Sequence, residues 1–174
     1  MIYVHPTAGN VMKQWPAEYF ALVIDRLVEA HGASIVLIGA PGEEAIAEAL
    51  IAALRHAESV TSLVGALPLA DLPALLSRAA LFLGNDSGPK HIAAGLGVPT
   101  VGVHSGTVDV REWGPLGVNA VAVVREMVCS PCYLTNPLKL EVLRSKAFRH
   151  PAPITCGHGA DMEMMGHADC QTHR

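Results

Sequence analysis

The sequence predicts an α/β fold with a doubly wound parallel sheet and a Cys/His-rich carboxyl-terminal appendage. Short β-prone runs alternate with helical segments through residues 1–124. Residues 34–38 contain a continuous apolar run from Ile35 to Ile38, as in a strand that is covered on both faces. Turn residues follow the strand-like runs. Alternation at these short intervals is typical of a parallel sheet with helices packed on it.

The first half of this pattern carries two strands and two helices. Residues 2–5 are β-prone and lead into a turn. The helix that follows opens at Pro16, since proline fits the first helical turn, and its apolar residues recur at helical spacing until Gly32. Residues 34–38 form the second strand. Residues 43–54 form a helix with acids in its first turn, where they interact favourably with the helix dipole.

The second half continues the alternation. Residues 60–63 predict a short strand and residues 69–77 a helix. The apolar strand at residues 81–83 stops at a polar turn, after which residues 91–96 have helical character. Two further strands are predicted at residues 99–103 and 118–124.

Composition limits the function classes. The chain has 174 residues, of which 51% are hydrophobic and 16% charged, as expected of a globular protein with one core. The formal net charge of −4 gives no basic footprint for a nucleic-acid partner. We find no targeting segment and no apolar run long enough for a transmembrane segment. We therefore expect a cytoplasmic protein, with peripheral association with the inner membrane left open.

The polar turn after residue 83 is the main candidate site. It contains Asp86 and Ser87, and His91 lies about one helical turn beyond Ser87. Ligands of open α/β sheets bind beyond the carboxyl ends of the strands, and a helix N-terminus attracts anions. The turn therefore predicts a site for a sugar or a phosphate. The alternative is that Asp86 or Ser87 only caps the following helix.

Three residues outside this turn are further candidates. Lys13 lies near the end of the first strand, where it could contact a phosphate or remain a solvated surface lysine. His104 follows a later strand, and its place in a cleft is left open. Trp113 is expected to be packed in the interior. Familiar nucleotide-binding loops and the nucleophile elbow of hydrolases are absent from the sequence, which disfavours dehydrogenases, P-loop enzymes and serine hydrolases.

The cysteines form a second group of candidate site residues, all within residues 125–174. A pair with two intervening residues could hold one zinc ion, and two later cysteines could complete the tetrahedron, with His158 or His167 as a substitute. Free thiols or disulfides are the alternatives. The predicted structural zinc ligands are Cys129, Cys132, Cys156 and Cys170.

Five motifs together resemble the ordered landmarks of a known family. They are residues 5–9, 13–16, 38–43, 85–94 and 97–101. In this order they are similar to the carboxyl-terminal domain of family 9 glycosyltransferases, the heptosyltransferase family of lipopolysaccharide core assembly. The resemblance covers about residues 2–115. The later loop at residues 103–107 departs from the family's usual pattern.

The resemblance implies a Rossmann-like half of a GT-B fold, in which residues 1–124 bind a nucleotide-sugar donor, commonly ADP-heptose. The change in composition predicts that residues 125–174 pack on them as an appendage. No metal would be required for transfer. By motif match, the residues implied in donor binding are Thr7 and Lys13 for the diphosphate, Glu43 for the nucleoside, and Asp86, Ser87, Gly88 and His91 for the sugar and phosphate end.

The resemblance also implies a partner. In this family the general base belongs to an amino-terminal acceptor domain, which has no counterpart in the sequence, so we expect that domain in cis on a longer chain or in trans. The donor half alone would then bind without completing a transfer. The alternative is a non-catalytic nucleotide-sugar-binding or protein-interaction module with a metal-stabilised tail.

Overall fold

The computed structural model describes residues 1–125 and 130–131. Six strands and five α-helices alternate in this part of the chain. The strands are β1 Ile2–His5, β2 Ile35–Leu37, β3 Val60–Ser62, β4 Leu81–Asn85, β5 Thr100–His104 and β6 Ala120–Val124. The helices are α1 Ala17–His31, α2 Glu44–Ala53, α3 Leu72–Leu76, α4 Gly88–Gly95 and α5 Val110–Trp113.

The strands form one parallel sheet in the order β3-β2-β1-β4-β5-β6. The chain starts at the centre, moves to one edge, and crosses back to build the other half from β4 outward. The predicted parallel α/β architecture is confirmed. The order reverses between β1 and β4, and open α/β sheets bind ligands beyond the strand ends at this switch point.

Helices cover both faces because side chains alternate along each strand. On β1, Ile2 and Val4 face the cluster that contains Phe20 of α1 and Leu50 of α2. Tyr3 faces the opposite cluster, which contains residues of α3 and α4. The central strands β1, β2 and β4 are therefore buried on both faces, and buried polar side chains such as Asn85 lie at the carboxyl end of the sheet.

One buried carboxylate ties α1 to the chain beyond α2. Asp25 is 2% exposed, and its oxygens accept the backbone N–H groups of Arg55 and His56. Burial by itself would raise the pKa of Asp25, but these bonds and the Arg55 side chain outweigh it and hold the pKa below its usual value. This buried charge is therefore compensated by hydrogen bonds.

Strand β4 is longer than the sequence predicts. The prediction that it stops after residue 83 is wrong, because Gly84 and Asn85 continue its pairing with β5. Gly84 is required by close packing: a Cβ there would lie 3.0 Å from the carbonyl oxygen of His5. Helix α4 also begins three residues earlier than predicted, at Gly88. The polar turn is thus reduced to Asp86 and Ser87.

The other differences concern short elements. The segment predicted as one helix over residues 69–77 is a 3-10 turn, Leu69–Asp71, followed by α3. Helix α5 was not predicted, since four residues carry too little periodicity to detect. Among the described residues no helix is both long enough and apolar enough to span a membrane.

Candidate functional site

The candidate site lies at the carboxyl end of the sheet, on the switch point. Asn85, fully buried at the end of β4, fixes the loop that follows β1. Its Nδ2 donates to the carbonyl oxygen of Pro6 at 2.8 Å, and its Oδ1 accepts from the backbone N–H of Trp15 at 2.9 Å. These two bonds hold the β1 loop, and with it Lys13, against β4.

Asp86 is the centre of the site. Its side chain is only 3% exposed, and each oxygen pairs with a different lysine: Oδ2 lies 2.6 Å from Lys13 Nζ and Oδ1 lies 2.5 Å from Lys90 Nζ. Burial would raise the pKa of Asp86, but the two lysines outweigh this effect and hold the pKa below its usual value. Asp86 is therefore a carboxylate at neutral pH.

Lys90 is a site residue that the sequence analysis missed. Its side chain is fully buried, and Nζ donates to Asp86 Oδ1, to His104 Nε2 at 3.0 Å and to the carbonyl oxygen of Trp113 at 2.5 Å. Burial lowers the pKa of Lys90, and Asp86 opposes this. The i, i+4 spacing of Asp86 and Lys90 at a helix start was the available signal.

His104 lies behind this pair rather than at an open surface. Burial, assisted by Lys90, lowers the pKa of His104 to about 4, so its ring is neutral at pH 7. Since Nε2 accepts from Lys90, Nδ1 carries the hydrogen. Nδ1 lies 4.0 Å from Asp86 Oδ1 and is buried without a hydrogen-bond partner in the described part of the chain. The N–H dipole thus adds positive potential beside Asp86.

The expectation of a packed Trp113 is wrong. Half of the residue is exposed, and no residue of the short helix α5 is buried. The centroid of the indole ring lies 5.7 Å from Lys13 Nζ, within the range of a cation–π contact. Trp113 therefore borders the site through its ring and supports Lys90 through its carbonyl group.

A second group of hydrogen bonds runs from α4 across β1 to α2. Ser87 Oγ lies 3.0 Å from His5 Nδ1, and His5 Nε2 lies 3.1 Å from Thr7 Oγ1. Thr7 Oγ1 then donates to Glu43 Oε2 at 2.6 Å. Thr7 has one hydroxyl proton, so it must accept from His5 Nε2–H, and Ser87 must donate to His5 Nδ1. Burial lowers the pKa of His5 to about 4, which agrees with this neutral ring.

The structure also decides the capping alternative for the turn. Ser87 is the N-cap residue of α4, yet no side chain makes a capping hydrogen bond there. Asp86 pairs with lysines and Ser87 bonds to His5. The polar residues of this turn are therefore not explained by helix capping.

Gly88 and His91 lie on the open side of α4. Both are exposed, and a Cβ added to Gly88 would meet nothing within 4 Å. Partial burial and the nearby charge of Lys90 lower the pKa of His91. The N-terminal turn of α4 is therefore accessible beside Asp86, and its free N–H groups can bind an anion there.

The comparison with protein families agrees with this geometry. The model of glycosyltransferase family 9 (heptosyltransferase) matches residues 1–140. The chain belongs to glycosyltransferase family 9. The resemblance seen in the five sequence motifs is thereby confirmed.

Individual relatives of this family 9 chain are lipopolysaccharide enzymes. It is 35% identical over 121 residues to lipopolysaccharide heptosyltransferase 3 of Escherichia coli, covering 69% of the chain and 35% of that relative. It is 33% identical over 153 residues to the protein of the same name from Escherichia coli strain K12, covering 87% of the chain and 42% of that relative. The chain thus spans about two-fifths or less of their length.

Comparison with solved structures shows that the fold of the chain is also that of this family. The structure of E. coli ADP-heptose lipopolysaccharide heptosyltransferase II superposes with a TM-score of 0.66 at 24% identity, over 84% of this chain and 47% of that one. This likeness shows the fold: the six-stranded parallel sheet of the family 9 chain has the architecture of a heptosyltransferase domain.

The cysteines of the family 9 chain fall outside the described residues. Cys129, Cys132, Cys156 and Cys170 were the predicted zinc ligands, and the structure places none of them. Among the described residues, no group of three His, Cys, Asp or Glu side chains could hold a metal ion. The zinc site stays a prediction, which elemental analysis of protein purified without chelator would test.

Proposed function

We propose that this family 9 chain is the donor-binding half of a heptosyltransferase in lipopolysaccharide or cell-surface glycan synthesis, and that its donor is a nucleotide sugar of the ADP-heptose type. The observation that carries the proposal is the Lys13–Asp86 pair, which lies at the switch point beside the accessible start of α4. A cation, a carboxylate and free backbone N–H groups therefore lie together at the carboxyl end of the sheet.

Lys13 is the residue that we assign to the diphosphate. Its side chain is 19% exposed, and its ammonium donates to Asp86 Oδ2, the single hydrogen bond that it makes to the described residues. Two protons remain available for phosphate oxygens. When the anomeric bond breaks, negative charge develops on the diphosphate leaving group. Lys13 and the N–H groups of α4 would stabilise that charge electrostatically, so we propose a transfer without a metal ion.

The sugar end of the donor fits the other side of Asp86. We assign sugar hydroxyls to Asp86 and the adjoining phosphate to the start of α4, where Gly88 leaves room for close approach. Ser87 fixes the turn through His5, and His91 lies on the exposed face of the same helix. This end of the site thus combines acceptors for hydroxyl groups with donors for phosphate.

Glu43 is the candidate for the nucleoside. Its Oε2 accepts from Thr7 and from the backbone N–H of Ala40 at 2.7 Å, whereas its Oε1 has no hydrogen bond from the described residues. A half-buried carboxylate with one oxygen available suits a ribose diol. Because the Thr7 hydroxyl is buried and already donates to Glu43, we propose that this side chain acts on the nucleotide through Glu43.

The general base is proposed to come from elsewhere. Neither carboxylate at the site is assigned the role of base: Asp86 is paired with two lysines, and Glu43 holds Thr7 and Ala40 through Oε2 while its Oε1 is assigned to the ribose. We therefore place the base on an amino-terminal acceptor domain, in cis or in trans. The lack of an assigned base among the described residues also favours a second candidate function, a non-catalytic module that binds a nucleotide sugar.

Titration calorimetry of the full chain tests donor binding. ADP-heptose and ADP are expected to bind, and Lys13→Met should weaken both by about 10-fold or more because a charge-assisted bond to phosphate is lost. Arg78→Met is the matched control, since Arg78 is exposed just before β4, at the opposite end of the sheet. Absence of binding, or equal effects of both variants, would overturn the assignment.

A second measurement separates the two candidate functions. The chain is mixed with an amino-terminal domain of a family 9 relative, ADP-heptose and a lipopolysaccharide core acceptor. Donor-dependent transfer that is lost in Lys13→Met supports the enzyme. Donor binding with no transfer in any such mixture supports the non-catalytic module.

A further inference from the structure

Two lysines contact the same carboxylate, but their surroundings differ. Lys90 is fully buried, and three acceptors receive its ammonium group: Asp86 Oδ1, His104 Nε2 and the carbonyl oxygen of Trp113. An ammonium has three protons, so the hydrogen-bonding capacity of Lys90 is used up inside the protein. Lys13 is partly exposed and makes one such bond, to Asp86 Oδ2.

A glycine in β5 leaves the space that the Lys90 side chain occupies. Gly102 lies in the centre of β5, paired with Gly84 of β4. A Cβ on Gly102 would come within 2.7 Å of Lys90 Cδ and 3.3 Å of His104 Nε2. The stem of Lys90 therefore passes directly over the backbone of β5. A side chain at this position would therefore require Lys90 or the backbone of β5 to shift.

From this geometry we infer that Lys90 is a positioning residue, a resident counter-ion that keeps Asp86 charged and in place while Lys13 moves from Asp86 to the diphosphate of the donor. The inference rests on the proposed function, since it assumes a nucleoside diphosphate at Lys13. It adds a division of roles: Lys13 is the exchangeable partner of Asp86, and Lys90 is the permanent one.

The exchange has a simple electrostatic reason. If Lys13 were the single counter-ion, its departure would leave a buried carboxylate unpaired, which is strongly unfavourable. Such a carboxylate would take up a proton when the donor binds. With Lys90 in place, Asp86 keeps a positively charged neighbour throughout, and the neutral ring of His104 lies with Nδ1 4.0 Å from Oδ1. His91, exposed on α4, is the other titratable group near this cluster.

Lys90→Met tests the inference because methionine nearly matches the volume of lysine and removes the charge. At pH 7.5 the variant should bind ADP about 10- to 100-fold more weakly than the wild type. Part of the loss should be recovered at pH 5.5, where Asp86 can be protonated. Calorimetry in two buffers of different ionisation enthalpy should then show extra proton uptake on binding, which a purely structural defect would not produce. Arg78→Met is the control for loss of one positive charge.

Gly102→Ala supplies a second variant that retains every charge. It should shift ADP affinity and proton uptake in the same direction as Lys90→Met, and the double variant should be no worse than the more severe single one. Circular dichroism confirms that each variant is folded. Proton uptake and affinity in Lys90→Met that both match Arg78→Met would overturn the inference.

A third measurement follows the ionisation of Asp86 directly by NMR. With ¹³C-labelled aspartate, the Asp86 carboxyl signal is assigned from its loss in Asp86→Asn. We expect Asp86 to stay ionised down to pH 4 both without and with ADP. Protonation of Asp86 above pH 5 in the ADP complex would overturn the inference. Failure of wild-type protein to bind ADP would instead overturn the proposed function, and the ligand-free titrations of wild type and Lys90→Met would still show whether Lys90 holds the charge of Asp86.

Discussion

Ser87 Oγ lies 3.0 Å from His5 Nδ1, and this contact joins the N-cap residue of α4 to the last residue of β1. From His5 the hydrogen bonds continue through Thr7 to Glu43. The proposed sugar end and the proposed nucleoside end of the site are therefore connected through one neutral imidazole. Substitutions along this line should affect both ends.

Thr7→Val should weaken ADP binding while leaving the chain folded. Valine keeps the shape of threonine but removes the hydroxyl that donates to Glu43 Oε2. The loss of one such bond is worth about 1 kcal/mol, or roughly a 5-fold loss of affinity by calorimetry. Thr7→Ser, which retains the hydroxyl, is the control. Equal affinities of Thr7→Val and wild type would show that the Thr7–Glu43 bond has no role in binding.

Asp86→Ala should be strongly destabilising, because it leaves Lys90 buried without a counter-ion. Removing one partner of a buried ion pair lowers the free energy of unfolding by about 3–5 kcal/mol, which urea denaturation can measure. The double variant Asp86→Ala/Lys90→Met removes both charges and should recover part of this loss. A double variant that is less stable than Asp86→Ala would contradict the pairing.

Asp25→Ala should destabilise the fold without affecting the site. It leaves the backbone N–H groups of Arg55 and His56 without their buried acceptor, at an expected loss of about 2 kcal/mol in the free energy of unfolding. Glu29→Ala is the matched control, since Glu29 contacts the same Arg55 at the surface. Its effect should stay within about 0.5 kcal/mol. Similar losses in both variants would contradict the buried role of Asp25.

Stability should fall as the pH is lowered from about 6.5 to about 4. Burial lowers the pKa of His5 and of His104 to about 4 in the folded chain, against 6.5 in the unfolded chain. Between these values the unfolded state binds more protons, so stability rises with pH, by about 3 kcal/mol for each fully neutral histidine. Below this window the depressed pKa values of Asp86 and Asp25 extend the loss, since their ionised forms stabilise the fold.

His104→Gln tests that pH dependence. Glutamine can accept from Lys90 but does not titrate. Near pH 5 the number of protons taken up on unfolding should therefore be smaller in the variant than in the wild type, by up to one. Urea denaturation at several pH values gives this slope. His31→Gln, at an exposed position at the end of α1, is the control and should leave the slope unchanged. A slope that His104→Gln does not reduce would show that His104 is not buried as a neutral ring.

The sequence by itself determined the fold class, the positions of the strands and the family. Apolar runs with turn residues after them are local signals, and five motifs in order are specific. Local signals also singled out Asp86 and Lys13 as candidates, because residues after parallel strands meet at the carboxyl end of the sheet, and the family resemblance added Glu43. They gave no partner for any of these side chains.

Only the tertiary structure decided those partners. Lys90 directly precedes the helix that the sequence predicts, and its burial depends on the space above Gly102 in a strand that follows later in the chain. The roles of His5 and His104 likewise depend on contacts between segments that are distant in sequence. The physical reason is that a charge or a tautomer is set by neighbours in space, and strand order and register decide which residues become neighbours.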